Sequence, residues 1–150
     1  MHKMTMVLIA AVIGSSIIAT SAIASPASDA LGTCLADNTT GKDRKDMARW
    51  MFIAMSAHPE MHDLSKVSKN DQDEINIRMG GLVTKLLTES CPAQAKKAME
   101  EGAEAMKTAF AVVGQLAMQE LMTNPGVKSS ISGFANYMDK DKMNSVFLKK

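Results

Sequence analysis

Residues 92–122 constrain the fold of this chain more than any other segment. They are rich in Ala, Met, Glu, Gln and Lys, which favour helix over strand. Apolar residues recur throughout at helical spacing, which predicts one long amphipathic helix that other helices must cover. Gly102 and Gly114 are expected to mark close crossings with those neighbours. The predicted stripe comprises Ala95, Met99, Ala103, Met106, Phe110, Val113, Ala117 and Leu121.

Helical patterns also precede this segment. Residues 28–36 predict a short helix whose apolar side chains share one side. Thr40 followed three residues later by Asp43 is typical of a helix cap. Because Pro59 disfavours helical geometry at the residue before it, the second helix should extend to about Ala57.

Three further segments complete the prediction. Ser68 or Asn70 can cap another long helix, the Asn-Pro-Gly sequence at 124–126 caps the next, and residues 143–147 are amphipathic. Strand-like alternation is absent, so we predict an all-α fold: a compact antiparallel bundle of about five to six helices with one disulfide. The core residues expected from these helices are Met47, Trp50, Met51, Ala54, Ala57, Ile75, Met79, Leu82, Val83, Leu86, Val127, Ile131, Phe134 and Met138.

The beginning of the chain has the pattern of an export signal. Lys3 gives a positive start, residues 6–19 are mostly apolar, and residues 22–24 are Ala-Ile-Ala. We therefore predict a signal peptide over 1–24, cleaved before a single helical domain at 25–150 in the periplasm or outside the cell. A retained membrane anchor is the alternative, because this stretch approaches the length of a membrane span.

Cys34 and Cys91 are the two cysteines of the chain. Export implies an oxidising compartment, where two cysteines normally form a disulfide. This bond would join the first short helix to the start of the longest one. Closing a loop of about sixty residues would stabilise the fold by about 4 kcal/mol on the chain-entropy model.

Charge restricts the classes of partner. All 16 acidic residues and 16 of the 17 basic ones lie after residue 24, so the exported part is close to neutral. It has no overall field that would attract nucleic acid or an anionic membrane. The expected partner is therefore another envelope or secreted protein, not nucleic acid, and not a membrane once the signal is cleaved. The oligomeric state is left open.

Methionine is unusually frequent, at 14 residues against six aromatic ones. Thioethers suit irregular cores and adaptable contact surfaces, and they are also soft ligands for Cu(I). Core packing is the expected role and no cofactor is expected. A copper site is the alternative, with Met51, Met55, His58, Met61 and His62 as its candidate ligands.

A basic segment with the only tryptophan is the candidate partner-binding patch. Arginine and tryptophan are frequent anchors in protein interfaces. The alternative is that the tryptophan is buried and the basic side chains are simply solvated. The patch comprises Lys42, Arg44, Lys45, Arg49 and Trp50.

These observations favour a non-enzymatic periplasmic protein that binds another protein, with an inhibitor-like, immunity-like or chaperone-like role. Contact would involve a helical face or the loops at 39–41 and 59–70. No catalytic residue is predicted, because no serine stands in a nucleophile elbow and the cysteines should be oxidised. The alternatives are a copper-binding protein and a hydrolase of envelope polymers with an unrecognised site.

Overall fold

The computed structural model describes residues 24–148, which form eight α-helices and no strand. The all-α fold is therefore confirmed, whereas residues 1–23 of the predicted signal peptide lie outside the described part. None of the helices described combines the length and apolar character needed to cross a membrane. The helices are α1 (Pro26–Asp37), α2 (Gly41–Ser56), α3 (Pro59–His62), α4 (Lys69–Lys85), α5 (Pro92–Glu101), α6 (Ala103–Met122), α7 (Pro125–Ser132) and α8 (Lys140–Phe147).

The two long helices α2 and α4 begin at reciprocal side-chain caps. The Thr40 hydroxyl accepts a hydrogen bond from the Asp43 N–H, and the Asp43 carboxylate accepts one from the Thr40 N–H. Ser68 and Asp71 make the same pair of bonds at the start of α4. Each cap satisfies N–H groups that have no partner within the helix, so Ser68 rather than Asn70 fixes where α4 starts.

Five helices, α1, α2, α4, α5 and α6, surround one hydrophobic core. The central element is α6, because α1, α2 and α5 all pack against it, and α4 packs against α2. Alanine dominates the buried positions of α5 and α6, so neighbouring helices can approach closely. The buried residues of the cluster are Leu31, Leu35, Met47, Ala48, Met79, Leu86, Cys91, Ala95, Ala98, Ala105, Ala109, Val113 and Ala117.

The predicted disulfide between Cys34 and Cys91 is present, with the two Cα atoms 6.0 Å apart. Cys34 belongs to α1, whereas Cys91 is the residue before α5 and is fully buried. A π-helical turn, Leu86–Ser90, leads from α4 into this position. The bond therefore holds α1 against the junction between α4 and α5.

Gly32 allows α1 to approach α6 closely. A Cβ atom at this position would lie 2.8 Å from Cγ2 of Val112 and 3.4 Å from the Ala109 carbonyl oxygen. Valine is stiff at χ1 and the carbonyl belongs to the backbone, so neither gives way easily. The close crossing expected at Gly114 is wrong, since a Cβ there would meet nothing within 4 Å.

Gly102 interrupts the long helix predicted for residues 92–122. Its φ of 105° and ψ of −175° lie outside the helical region, in a conformation that glycine tolerates best. It marks a break rather than the expected close crossing. Ala98 and Ala105 on either side are buried, whereas Met99 and Ala103, both in the predicted stripe, are exposed.

The short helix α3 was not among the predicted helices. Pro59 occupies its first turn, and His58 caps it by accepting a hydrogen bond from the Glu60 N–H at Nδ1. A proline at this position starts a helix without losing a backbone hydrogen bond. Together with the break at Gly102, this turn explains why the described chain has eight helices instead of five to six.

The buried face of α2 differs from the predicted one. Trp50, Ala54 and Ala57 were expected in the core, but all three are exposed. Near its start α2 buries Met47 and Ala48 in the core cluster, while nearer its end it buries Ile53 on another side. The buried side chains of α2 therefore do not form one straight stripe along the helix.

Residues 125–148, here called the exposed arm, contribute no buried side chain. The expectation that Val127, Ile131, Phe134 and Met138 face the core is therefore wrong. Within the described chain α7 contacts only α6 and the adjoining 3-10 turn, Gly133–Tyr137, and α8 contacts no other element. The inner face of α6 is already packed against α1, α2 and α5.

We expect Gly32→Ala to lower the free energy of unfolding by about 1–3 kcal/mol, because the added methyl group overpacks the crossing of α1 and α6. The matched control is Gly114→Ala, which fills open space in a helix and should raise stability by about 0.5–1 kcal/mol. Urea denaturation followed by circular dichroism measures both values. The same effect for both variants would contradict the close approach at Gly32.

Candidate functional site

The predicted basic patch lies on α2, where acidic side chains neutralise part of it. Glu120 of α6 lies 3.7 Å from Arg44 Nε and 3.7 Å from Lys45 Nζ. Arg44 also donates a hydrogen bond of 2.7 Å to the Thr39 carbonyl oxygen. Its guanidinium group thus connects the turn before α2 to α6, which is a structural use of the charge.

Asp46 pairs with the remaining basic residues of the patch. Its carboxylate accepts a hydrogen bond of 2.6 Å from Lys42 Nζ, and it lies 3.5 Å from Arg78 of α4 and 4.0 Å from Arg49. The hydrogen bond from Lys42 is the main cause of a lowered Asp46 pKa. Attraction to the three cations adds to it, while partial burial acts in the opposite direction. The ion pairs of α2 therefore connect it to α4 and to α6.

Trp50 has 38% of its surface exposed, so it is neither in the core nor fully open to solvent. Its indole Nε1 donates a hydrogen bond of 3.1 Å to Oδ1 of Asn76 on α4. The ring lines an apolar cleft of about 560 Å³, and Met51 lines the same cleft. Gly80 and Gly114 also line it, and added Cβ atoms there would meet nothing within 4 Å, so these glycines leave the space open.

A second apolar depression opens where α2 gives way to α3, and we call it the corner groove. Its volume is about 730 Å³. The four largest apolar side chains around it are well exposed: Phe52 by 55%, Met55 by 60%, Met61 by 47% and Leu64 by 81%. The complete lining consists of Phe52, Ala54, Met55, Ser56, His58, Met61, Leu64 and Ser65.

Three of the five candidate copper ligands share the corner groove. Met55, His58 and Met61 line it, whereas Met51 lines the tryptophan cleft instead. His62 is not part of the lining, and its Nδ1 lies 3.5 Å from the Asp63 carboxylate. Two thioether residues and one imidazole residue of the predicted set of five therefore line the same groove.

The turn at Pro59 explains how this donor set is assembled. Helix α2 ends at Ser56, and the His58 cap starts α3 at Pro59, so that Met61 and Met55 line the same groove. Because Nδ1 of His58 accepts the hydrogen bond from the Glu60 N–H, Nε2 is the ring nitrogen that takes no part in this cap. Within the described residues no three His, Cys, Asp or Glu side chains are grouped to hold a metal ion.

Phe52 and Leu64 were not predicted from the sequence as site residues. One available signal was the position of Phe52, a large apolar residue outside the stripe predicted for α2. Leu64 lies in the loop at 59–70, which was predicted as a contact region with no particular residue named. Its exposure follows from the short length of α3, which leaves the chain after His62 on the surface.

Comparisons of the chain with protein-family models, with curated proteins and with solved structures gave no match. Functional inference therefore depends on the chain's own residues. The hypothesis of an envelope hydrolase names no residues and stays a prediction.

We expect Asp46→Asn to destabilise the protein at pH 7 and to have a smaller effect at pH 3. The folded-state pKa of Asp46 lies below the ordinary value of 3.8, so the carboxylate stabilises the fold above that pH. This contribution is lost as the pH falls through the folded-state pKa. Urea denaturation of both proteins between pH 3 and 7 measures the difference. A difference in unfolding free energy that stays constant with pH would contradict the role of the ion pairs.

Proposed function

We propose that the protein is a non-enzymatic protein of the periplasm or the secreted fraction that binds another protein at the corner groove. The observation that carries this proposal is the exposure of four large apolar side chains around one depression. A contiguous apolar patch on a soluble protein often marks an interaction site. The scaffold in this proposal is an antiparallel arrangement of the five core helices.

The chemistry of the groove suits an amphipathic helix of the partner. Phe52 and Met55 are three residues apart on α2, and Met61 and Leu64 continue the apolar surface beyond the turn. A partner helix with apolar residues three and four positions apart can insert them into such a surface. Polar atoms of His58 and two serines lie among the lining residues and can orient the bound segment.

The two methionines favour a chaperone-like role over an inhibitor-like or immunity-like one. Their unbranched side chains adopt many rotamers and adapt to apolar groups of different shape. Binding surfaces of this type accept several sequences, whereas an inhibitor of one enzyme needs a rigid, specific fit. We therefore propose that the protein accepts a class of apolar helical segments.

The basic patch adjoins this site without forming it. Arg49 and Phe52 together line a smaller depression of about 330 Å³, and Phe52 also lines the corner groove. The remaining basic residues of α2 are engaged with Asp46 and Glu120. In this proposal Arg49 contacts the margin of a bound partner, while the apolar side chains supply most of the buried area.

A photo-crosslinking residue in place of Leu64 tests the proposed site in the native envelope. We expect a discrete adduct whose partner peptide, identified by mass spectrometry, has an amphipathic helical pattern. The matched control is Ile77, which is 76% exposed on α4 and outside the corner groove. Adding Met55→Asp should abolish the adduct at position 64, because it places a charge in the apolar contact. Adducts of equal yield from both positions, or unaffected by Met55→Asp, would contradict the proposal.

Copper binding is the second candidate, because Met55, His58 and Met61 line the same groove. Met55→Leu separates the two functions, since leucine keeps the apolar volume but lacks the sulfur ligand. If the groove binds protein, this variant retains the adduct; if it binds Cu(I), the variant loses metal in a titration with reduced copper. Equal, substoichiometric copper in wild type and variant would exclude the metal site.

A further inference from the structure

The overall neutrality of the exported part conceals an uneven distribution of charge. Residues 125–150 contain five lysines and two aspartates, which gives this segment a formal charge of +3. Residues 25–124 contain 14 acidic and 11 basic side chains, which gives −3. The segment that includes the exposed arm is therefore cationic, whereas the helices of the core are anionic.

The apolar residues of α8 form one stripe that nothing in the described chain covers. Met143, Val146 and Phe147 follow the three- and four-residue spacing that places side chains on one face. All three are exposed, Phe147 by 71%, and α8 contacts no other element. The stripe is thus available to a surface outside this molecule.

Lysines border this stripe on both sides. At about 100° per residue, Lys140 and Lys142 lie on opposite flanks of the face that contains Met143 and Phe147, and Asp141 lies on the far side. Long lysine side chains can extend along an apolar surface while the ammonium group remains in a polar layer. Apolar residues on one face with flanking lysines are typical of helices that lie in a membrane interface.

The rest of the exposed arm extends this apolar character over a broad area. A lipid surface can accommodate large apolar side chains side by side, because it has no fixed shape. The residues concerned are Ile131, Phe134, Tyr137 and Met138, all exposed.

We propose that the exposed arm binds the surface of an anionic lipid bilayer. The apolar side chains would enter the boundary between headgroups and acyl chains, and the lysines would contact the lipid phosphates. The anionic core helices would be held away from the same surface by charge repulsion. A second copy of the chain is the other possible occupant, and the oligomeric state without lipid distinguishes it from a bilayer.

Co-sedimentation with vesicles tests this proposal on the full exported chain. We expect binding to vesicles of phosphatidylglycerol and phosphatidylcholine, weakened by added salt, and much less binding to phosphatidylcholine alone. Lys140→Gln and Lys142→Gln should each weaken binding about five-fold. Phe147→Asp should weaken it more than about ten-fold, because it removes a buried aromatic ring and adds a repelled charge.

Two matched variants separate this interaction from general effects. Ile77→Asp introduces the same charge at a comparably exposed apolar residue on α4 and should bind vesicles as wild type does. Met55→Asp, which tests the corner groove, should also leave vesicle binding unchanged, so the two proposals can fail separately. Because α8 contacts no other element, its variants should keep the circular dichroism and the unfolding midpoint of wild type.

Three results would overturn the proposal. The first is no binding of wild type to anionic vesicles at low salt, and the second is undiminished binding by Phe147→Asp. The third is a dimer that forms without lipid and is dissociated by Phe147→Asp, since the occupant of the arm would then be a second copy of the chain.

Discussion

The contact between α1 and α6 is the interaction on which the rest of the structure depends. Gly32 permits a close approach to Val112, and Leu31 and Leu35 on the same helix are fully buried. The disulfide to Cys91 restrains α1 at the entrance of α5. With one side of α6 covered in this way, α2 covers another side. The C-terminal end of α2 then meets α3 at the corner groove.

The core leaves large apolar side chains outside it. Alanine occupies three of the four buried positions of α6, so its neighbours can pack closely against it, and the buried cluster takes in two methionines, Met47 and Met79. Other large side chains such as Phe52 and Met55 remain at the margin, where they line the corner groove. Both proposals, a protein partner at the groove and a lipid surface at the exposed arm, begin from apolar groups that the core does not use.

Local chemistry made much of the fold predictable from the sequence. The caps at Thr40 and Ser68 depend on neighbouring residues, and the disulfide had only one possible pairing. Helical periodicity shows that a helix has an apolar face, but it does not show which face a neighbour covers, so the burial of Trp50 was misjudged. A glycine within a helical pattern can mark either a close helix crossing or the end of a helix, and at Gly102 the helix is interrupted.

The candidate site was predictable only in part, for related reasons. Met55, His58 and Met61 stood out as soft ligands near one another in sequence, and they do share a groove. Leu64 had no such chemical mark, and its role depends on how the chain turns after α3. The net charge of residues 25–150 is a sum over the whole segment, and it gave no sign of the cationic character of residues 125–150.

Amide hydrogen exchange followed by mass spectrometry tests the central claim, a core of five helices from which the exposed arm stands apart. For the monomer without lipid, we expect the slowest exchange in residues 31–35 and 105–117, which contain the buried contacts of α1 and α6. Amides of residues 140–147 should exchange almost as fast as in an unstructured peptide, because α8 has no tertiary contacts. Protection of α8 equal to that of α6 under these conditions would contradict the account.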